Sequence, residues 1–251
     1  MSSWSWHLFK ISGIPLSVHY SFLLLLAYIG YQGWMAQGVT GLIWSVLTVC
    51  AFFACVVLHE LGHSFAARRY GVGVRRILLM PIGGMAEFDS LPREPSKELV
   101  ITIAGPAVNF VLAALLWWPV NQLPQNIMFY SAQGLLFQLL WANLVMGVFN
   151  LVPVFPMDGG RIFRALLATK FTYLKATQWA SLVGKVLSVG GACVMYFWLD
   201  SWLGALLFGF IFMAGDAEYK AVKRREFEDA HWREMLARMH RERQSEEPPI
   251  L

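Results

Sequence analysis

Residues 42–67 read LIWSVLTVCAFFACVVLHELGHSFAA, an apolar stretch that contains His59, Glu60 and His63. A membrane-spanning helix needs about 20 predominantly apolar residues, and this stretch is long enough. Ionisable side chains inside such a helix are costly to bury and usually serve a function. The stretch therefore predicts a membrane helix that carries a chemical site.

The composition of the whole chain agrees with a membrane protein. Of its 251 residues, 57% are hydrophobic and 14% are charged, whereas charged residues make up about a quarter of an ordinary soluble domain. This composition excludes a disordered chain, a coiled coil and a nucleic-acid-binding module. The three cysteines are an odd number without close pairing, so no disulfide framework is expected.

Five further apolar segments are candidates for spanning helices. The six predicted spans cover residues 16–35, 42–67, 99–119, 133–155, 181–199 and 201–216, the last two as a tight helical hairpin. Basic residues precede the first span and follow the second, fourth and sixth. Since cytoplasmic loops collect Lys and Arg, both termini are predicted to be cytoplasmic.

The segments outside the spans complete the predicted fold. Residues 71–95 are rich in Gly, Val and Ile and predict a short β-hairpin on the cytoplasmic side. We therefore expect an all-α polytopic membrane protein with about six transmembrane helices and one small hairpin. Residues 1–216 form its transmembrane core, and residues 217–251 form a cytoplasmic tail that is amphipathic or partly disordered.

The sequence His59-Glu-Leu-Gly-His63 has the spacing of a metal site. Four residues advance a helix by about 6 Å and about 40° past a full turn, so both imidazoles share one face. Glu60 beside them can take a proton from the attacking water. Zinc is the expected metal. The alternative is a pair of buried histidines satisfied by hydrogen bonds, with Glu60 as a structural partner.

A third ligand is expected from residues 150–160, which read NLVPVFPMDGG. Prolines end the helix there, and glycines let backbones approach closely. Asp158 is the candidate, because zinc needs a further oxygen or nitrogen donor. Zn²⁺, one carboxylate and one hydroxide sum to zero charge, which lowers the cost of burial. The alternative is that Asp158 caps a helix or pairs with Arg161.

Together these motifs resemble the site-2 protease family of intramembrane zinc metalloproteases. The resemblance covers about residues 10–216, and it includes Gly105-Pro106-Ala-Val-Asn109 and Gly13-Ile-Pro15-Leu-Ser-Val-His19. The chain is most similar to the minimal prokaryotic form, without PDZ or CBS domains. The resemblance implies an integral protein of the cell membrane. It also implies one zinc ion per chain, with His59, His63 and Asp158 as its ligands.

The resemblance also implies an activity. It is hydrolysis of a peptide bond in or near the transmembrane segment of a membrane-anchored regulatory protein, such as an anti-sigma or pro-sigma factor. Glu60 is then the general base, and Asn150 is the donor to the oxyanion. The expected partners are this membrane-spanning substrate and the lipid bilayer, with no nucleic acid and with room for a regulatory membrane partner. The alternative function is a catalytically inactive scaffold or metal carrier.

Several residues keep two interpretations at this point. Asn150 serves either as the oxyanion donor or as an interhelical hydrogen-bonding group. Asn109 either packs against a neighbouring helix or positions substrate. His19 is either an interfacial histidine or a gating group. The hairpin either pairs with an unwound substrate through its exposed strand edge or makes no substrate contact.

Overall fold

The structure is a computed structural model that describes residues 4–90, 92–123 and 128–246. These residues form four strands and six helices. In chain order they are β1 (Ser5–Ile11), β2 (Ile14–His19), α1 (Ser21–Arg69), β3 (Val74–Met80), β4 (Gly83–Phe88), α2 (Pro95–Asn121), α3 (Ala132–Asn150), α4 (Asp158–Ala168), α5 (Tyr173–Phe197) and α6 (Trp202–Glu246).

The long helix α1 is a hairpin of two antiparallel arms. The backbone leaves helical geometry at Gln37 and Gly38, where Gly38 has φ +58. Gly33 and Gly41 lie on opposite sides of this break, and their backbones are so close that neither position has room for a Cβ atom. Further along, the rings of Phe22 and Phe53 meet edge to face at 4.6 Å. The two arms correspond to the first two predicted spans.

Four helices, α1, α2, α3 and α5, are long and apolar enough to cross a membrane, as expected of an integral membrane protein. The helices α5 and α6 form an antiparallel hairpin, in which Ser181 donates a hydrogen bond to the carbonyl of Gly215 at 2.8 Å. Helix α6 continues across the predicted boundary at residue 216 as far as Glu246. Residues 247–251 of the predicted tail lie outside the described residues. Six membrane crossings stay a prediction.

A four-stranded sheet lies beside the arms of α1, with strand order β1-β2-β3-β4. The predicted hairpin is present as β3 and β4, which pair antiparallel. The sheet extends beyond it, because β2 pairs parallel to β3 and antiparallel to β1. The prediction of a span from residue 16 is wrong at its start, because residues 16–19 belong to β2. Buried Ile14, Leu16 and Ile77 pack the sheet against α1.

Strand β4 forms one edge of this sheet, and its Glu87 side chain is partly exposed. Arg76 on β3 contacts Glu87 on β4 at 2.7 Å. The hydrogen bond from the Arg76 guanidinium lowers the pKa of the Glu87 carboxyl below its ordinary value. The ion pair ties the two strands together on the partly solvated side of the sheet.

We expect Gly41→Ala to destabilise the protein, because the added methyl group would meet the backbone carbonyl of Gly33. Overpacking of this kind costs about 1–3 kcal/mol. Thermal unfolding of the purified protein in detergent measures the effect. The matched control is Gly190→Ala on α5, where a Cβ atom has open space. Equal melting temperatures for the two variants would contradict the close packing of the α1 arms.

Candidate metal centre

Three side chains from two helices meet at one point inside the helical core. The Nε2 atoms of His59 and His63, both on α1, lie 3.1 Å apart. The Asp158 Oδ2 atom, on the first residue of α4, lies 3.4 Å from His59 Nε2 and 3.2 Å from His63 Nε2. Both histidines are buried, and Asp158 is largely buried. These groups offer one ligand atom each within a sphere the size of a metal site.

The hydrogen bonds behind the histidines determine which ring nitrogen carries the proton. Asn143 Nδ2 donates to the carbonyl of Leu139 at 2.8 Å, and this leaves Asn143 Oδ1 to accept from Asn109 Nδ2 at 3.0 Å. Asn109 therefore presents its Oδ1 to His59 Nδ1, at 2.6 Å. Since an amide oxygen only accepts, His59 Nδ1 must be the donor.

The second histidine is oriented by the backbone. His63 Nδ1 lies 2.8 Å from the carbonyl oxygen of Ile101 on α2. A carbonyl oxygen cannot donate, so His63 also carries its proton on Nδ1. In the neutral imidazoles both Nε2 atoms are then unprotonated, and each has a lone pair that can bind a metal ion. Metal-binding histidines are commonly held in this way, with the other ring N–H given to a carbonyl or carboxylate.

The three facing atoms fit a zinc ion. Two bare nitrogens and a carboxylate oxygen repel one another unless a cation or a proton lies between them. Asp158 Oδ2 is buried and has no hydrogen-bond partner among the residues that the structure describes. Tetrahedral zinc with bonds of about 2.0–2.1 Å separates its ligand atoms by about 3.3 Å. The observed separations of 3.1–3.4 Å match that spacing.

Glycines allow these groups to approach. A Cβ atom on Gly105 of α2 would overlap the imidazole ring of His63. Cβ atoms on Gly159 and Gly160 would overlap the backbone of residues 151–155. Asp158 therefore enters the core at the start of α4, just after the loop that contains the cis Phe155–Pro156 peptide bond.

Glu60 faces the sheet beside the histidines. Its Oε2 accepts a hydrogen bond from the backbone N–H of Ala86 on β4, at 3.0 Å. Gly84 on the same strand leaves room for the Glu60 side chain, because a Cβ atom there would lie 3.0 Å from Glu60 Cγ. The edge strand and the candidate general base are therefore in direct contact, a link that the sequence did not reveal.

The other candidate residues take different positions. Asn150 is the last residue of α3 and is half-buried, and its role as oxyanion donor stays a prediction. Asn109 bonds a neighbouring helix, as one interpretation held, and its partner is His59 itself. His19 Nδ1 accepts from the backbone N–H of Ser21 at 3.2 Å, so it contributes to the start of α1. Asn143 and the carbonyl of Ile101 had no recognisable signal in the sequence.

Comparison with known proteins gives consistent matches. A profile of peptidase family M50 matches residues 47–129 and 119–191. A zinc metalloprotease of Methanocaldococcus jannaschii is 46% identical over 187 residues, which are 74% of this chain and 52% of the relative. Stage IV sporulation protein FB of Bacillus subtilis is 30% identical over 122 residues, 48% of this chain and 40% of that protein.

A solved structure also resembles this fold. The site-2 protease from Methanocaldococcus jannaschii matches with a TM-score of 0.62 and 38% sequence identity, covering 86% of this chain and 95% of that one. The chain spans about half the length of the curated relatives it matches.

Removing the hydrogen bond behind His59 is expected to weaken metal binding. Asn109→Leu takes away the acceptor for His59 Nδ1, whereas Asn109→Asp keeps one. Loss of such a group costs about 10–100-fold in metal affinity. Competition with a zinc chelator measures this affinity for each purified variant. Asn121→Leu, at the exposed end of α2, is the control. Unchanged zinc affinity in Asn109→Leu would contradict the proposal that the hydrogen bond from His59 to Asn109 supports metal binding.

Proposed function

The chain belongs to peptidase family M50, the site-2 proteases, and from this premise we propose that it is an intramembrane zinc endopeptidase. The observation that carries the proposal is the cluster of three bare ligand atoms on His59, His63 and Asp158, with the Glu60 carboxylate beside it. One zinc ion would be held by these three side chains. Three protein ligands are the number that catalytic zinc sites use.

The chain's own residues would carry the proton transfers. Zinc held by His59, His63 and Asp158 would supply Lewis-acid chemistry, which activates water and polarises a scissile carbonyl. Glu60 takes the proton of the attacking water and returns it to the leaving amine. Asn109 and the Ile101 carbonyl orient both imidazoles so that their Nε2 atoms face the metal site. We propose Asn150 as the side chain that donates to the oxyanion.

The substrate would be bound in an extended conformation. A helical substrate hides its peptide bonds, so it must unwind before attack. Strand β4 is the last strand of the sheet, and such edge strands bind extended peptides by adding a strand. Because Ala86 on this edge contacts Glu60, a peptide paired with β4 would lie next to the general base.

The substrate class that we propose is the transmembrane segment of a membrane-anchored regulatory protein, such as an anti-sigma or pro-sigma factor. The family resemblance supports this class, and a sporulation protein is among the relatives. We propose further that six helical segments cross a prokaryotic cell membrane with both termini in the cytoplasm. The distribution of basic residues supports this orientation.

A catalytically inactive scaffold or metal carrier is the alternative function. It would share the three metal ligands but would need no general base beside them. The position of Glu60, in contact with the terminal strand β4, favours the protease.

Glu60→Gln is expected to abolish cleavage while zinc stays bound. The amide cannot take a proton, and loss of a general base costs about 10²–10⁴ in rate. Co-expression with candidate single-span membrane proteins, followed by fragment mass analysis, measures cleavage, and metal analysis measures zinc. Glu94→Gln, an exposed glutamate paired with Lys97, is the matched control. Proteolysis that persists in Glu60→Gln would exclude this mechanism.

Ala86→Pro is expected to lower cleavage at least about tenfold. The change removes the backbone N–H that donates a hydrogen bond to Glu60. Proline also obstructs pairing at a strand edge. Ala86→Gly keeps this N–H and is the control, with thermal unfolding confirming that both variants fold. Equal cleavage rates for Ala86→Pro and the unmodified protein would count against a role of β4 in catalysis.

A further inference from the structure

A small polar cavity lies where α4, α5 and α6 meet the residues that precede α2. Its volume is about 70 Å³, far below the about 300–1,000 Å³ of sites for drug-sized ligands. Such a cavity suits a small polyatomic ion. Its polar lining consists of four guanidinium groups, one phenol and one carboxylate, which belong to Arg93, Arg161, Arg164, Arg225, Tyr173 and Glu218.

The inner wall of the cavity is rigid. Arg164 on α4 is 2% exposed. Its guanidinium donates to the buried carboxylate of Glu98 on α2 and, at 2.6 Å, to Glu218 on α6. The rings of Phe155 and Tyr173 lie within 5.2 Å and 4.9 Å of the guanidinium carbon. Two carboxylates therefore more than balance the single positive charge of Arg164.

The outer wall contains the other three arginines. Arg93 contacts Asp229 at 2.9 Å and Glu226 at 3.6 Å. Arg161 on α4 and Arg225 on α6, in contrast, form no ion pair with any residue in the ranges 4–90, 92–123 and 128–246. Both guanidinium groups line the cavity, so an anion placed there can accept hydrogen bonds from both of them.

We propose that this cavity binds a phosphate group. Guanidinium groups match phosphate oxygens with paired, charge-assisted hydrogen bonds, and Arg161 and Arg225 have donors available for it. The source is either the headgroup of an anionic phospholipid or free phosphate. Basic residues next to membrane helices attract anionic headgroups. Because α4 begins at Asp158, a bound phosphate would connect α6 to the helix that carries the proposed metal ligand.

The test compares the full chain in three settings. These are nanodiscs of pure phosphatidylcholine, nanodiscs of phosphatidylcholine with phosphatidylglycerol, and pure phosphatidylcholine nanodiscs with inorganic phosphate in the buffer. Native mass spectrometry measures the lipid that stays bound, and thermal unfolding measures stabilisation by either probe. We expect stabilisation by at least one probe, and at least about tenfold weaker binding in Arg161→Gln/Arg225→Gln.

The control variant is Lys223→Gln/Arg224→Gln, which removes the same charge from exposed positions of α6 outside the cavity. Arg225→Gln alone leaves α4 unchanged and replaces the double variant if that variant does not fold. Stabilisation by phosphatidylglycerol but not by inorganic phosphate identifies the lipid headgroup as the ligand. Stabilisation by inorganic phosphate identifies a soluble phosphate as the ligand. The proposal is overturned if neither probe stabilises the unmodified chain, or if the control loses binding as the cavity variant does.

Discussion

The central constraint on this structure is the crowding of three lone pairs in a buried site. Asn109 and the Ile101 carbonyl accept hydrogen bonds from the Nδ1–H groups of His59 and His63. Both Nε2 atoms are therefore unprotonated and face the Asp158 carboxylate. Such an arrangement is unfavourable in a low-dielectric interior unless a cation or a proton lies between these atoms. Residues of α1, α2 and α4 hold these three groups together.

The helices achieve this through close backbone contacts rather than through large side chains. Gly105 makes space for the His63 ring, and Gly159 and Gly160 bring the start of α4 against the preceding loop. Small residues at such positions are the usual means by which membrane helices approach one another. The amides of Asn109 and Asn143 then link α2 and α3 behind the histidines. The glycines thus define the packing of the site, and Asn109 also defines the tautomer of His59.

The sequence predicted much of this arrangement, because apolar length and helical spacing are local properties. Residues 42–67 had to be helical, and a spacing of four residues placed His59 and His63 on one face. Strand β2 was missed because it ends at His19, only two residues before α1 begins at Ser21, and the apolar run of α1 follows at once. The burial of Arg164 was missed as well, since its partners Glu98 and Glu218 lie 66 and 54 residues away. Contacts of that range leave no trace in a local pattern.

The position of Glu60 shows why the sheet belongs to the site. A partly buried carboxylate needs a hydrogen-bond donor, and here the donor is the Ala86 N–H of the edge strand. The metal centre alone would therefore not determine where this carboxylate points. Glu60 and Asp158 together carry two negative charges when ionised, and a divalent cation brings their sum to zero. The sheet orients one carboxylate and the α4 terminus orients the other, so the charge balance of the site depends on both at once.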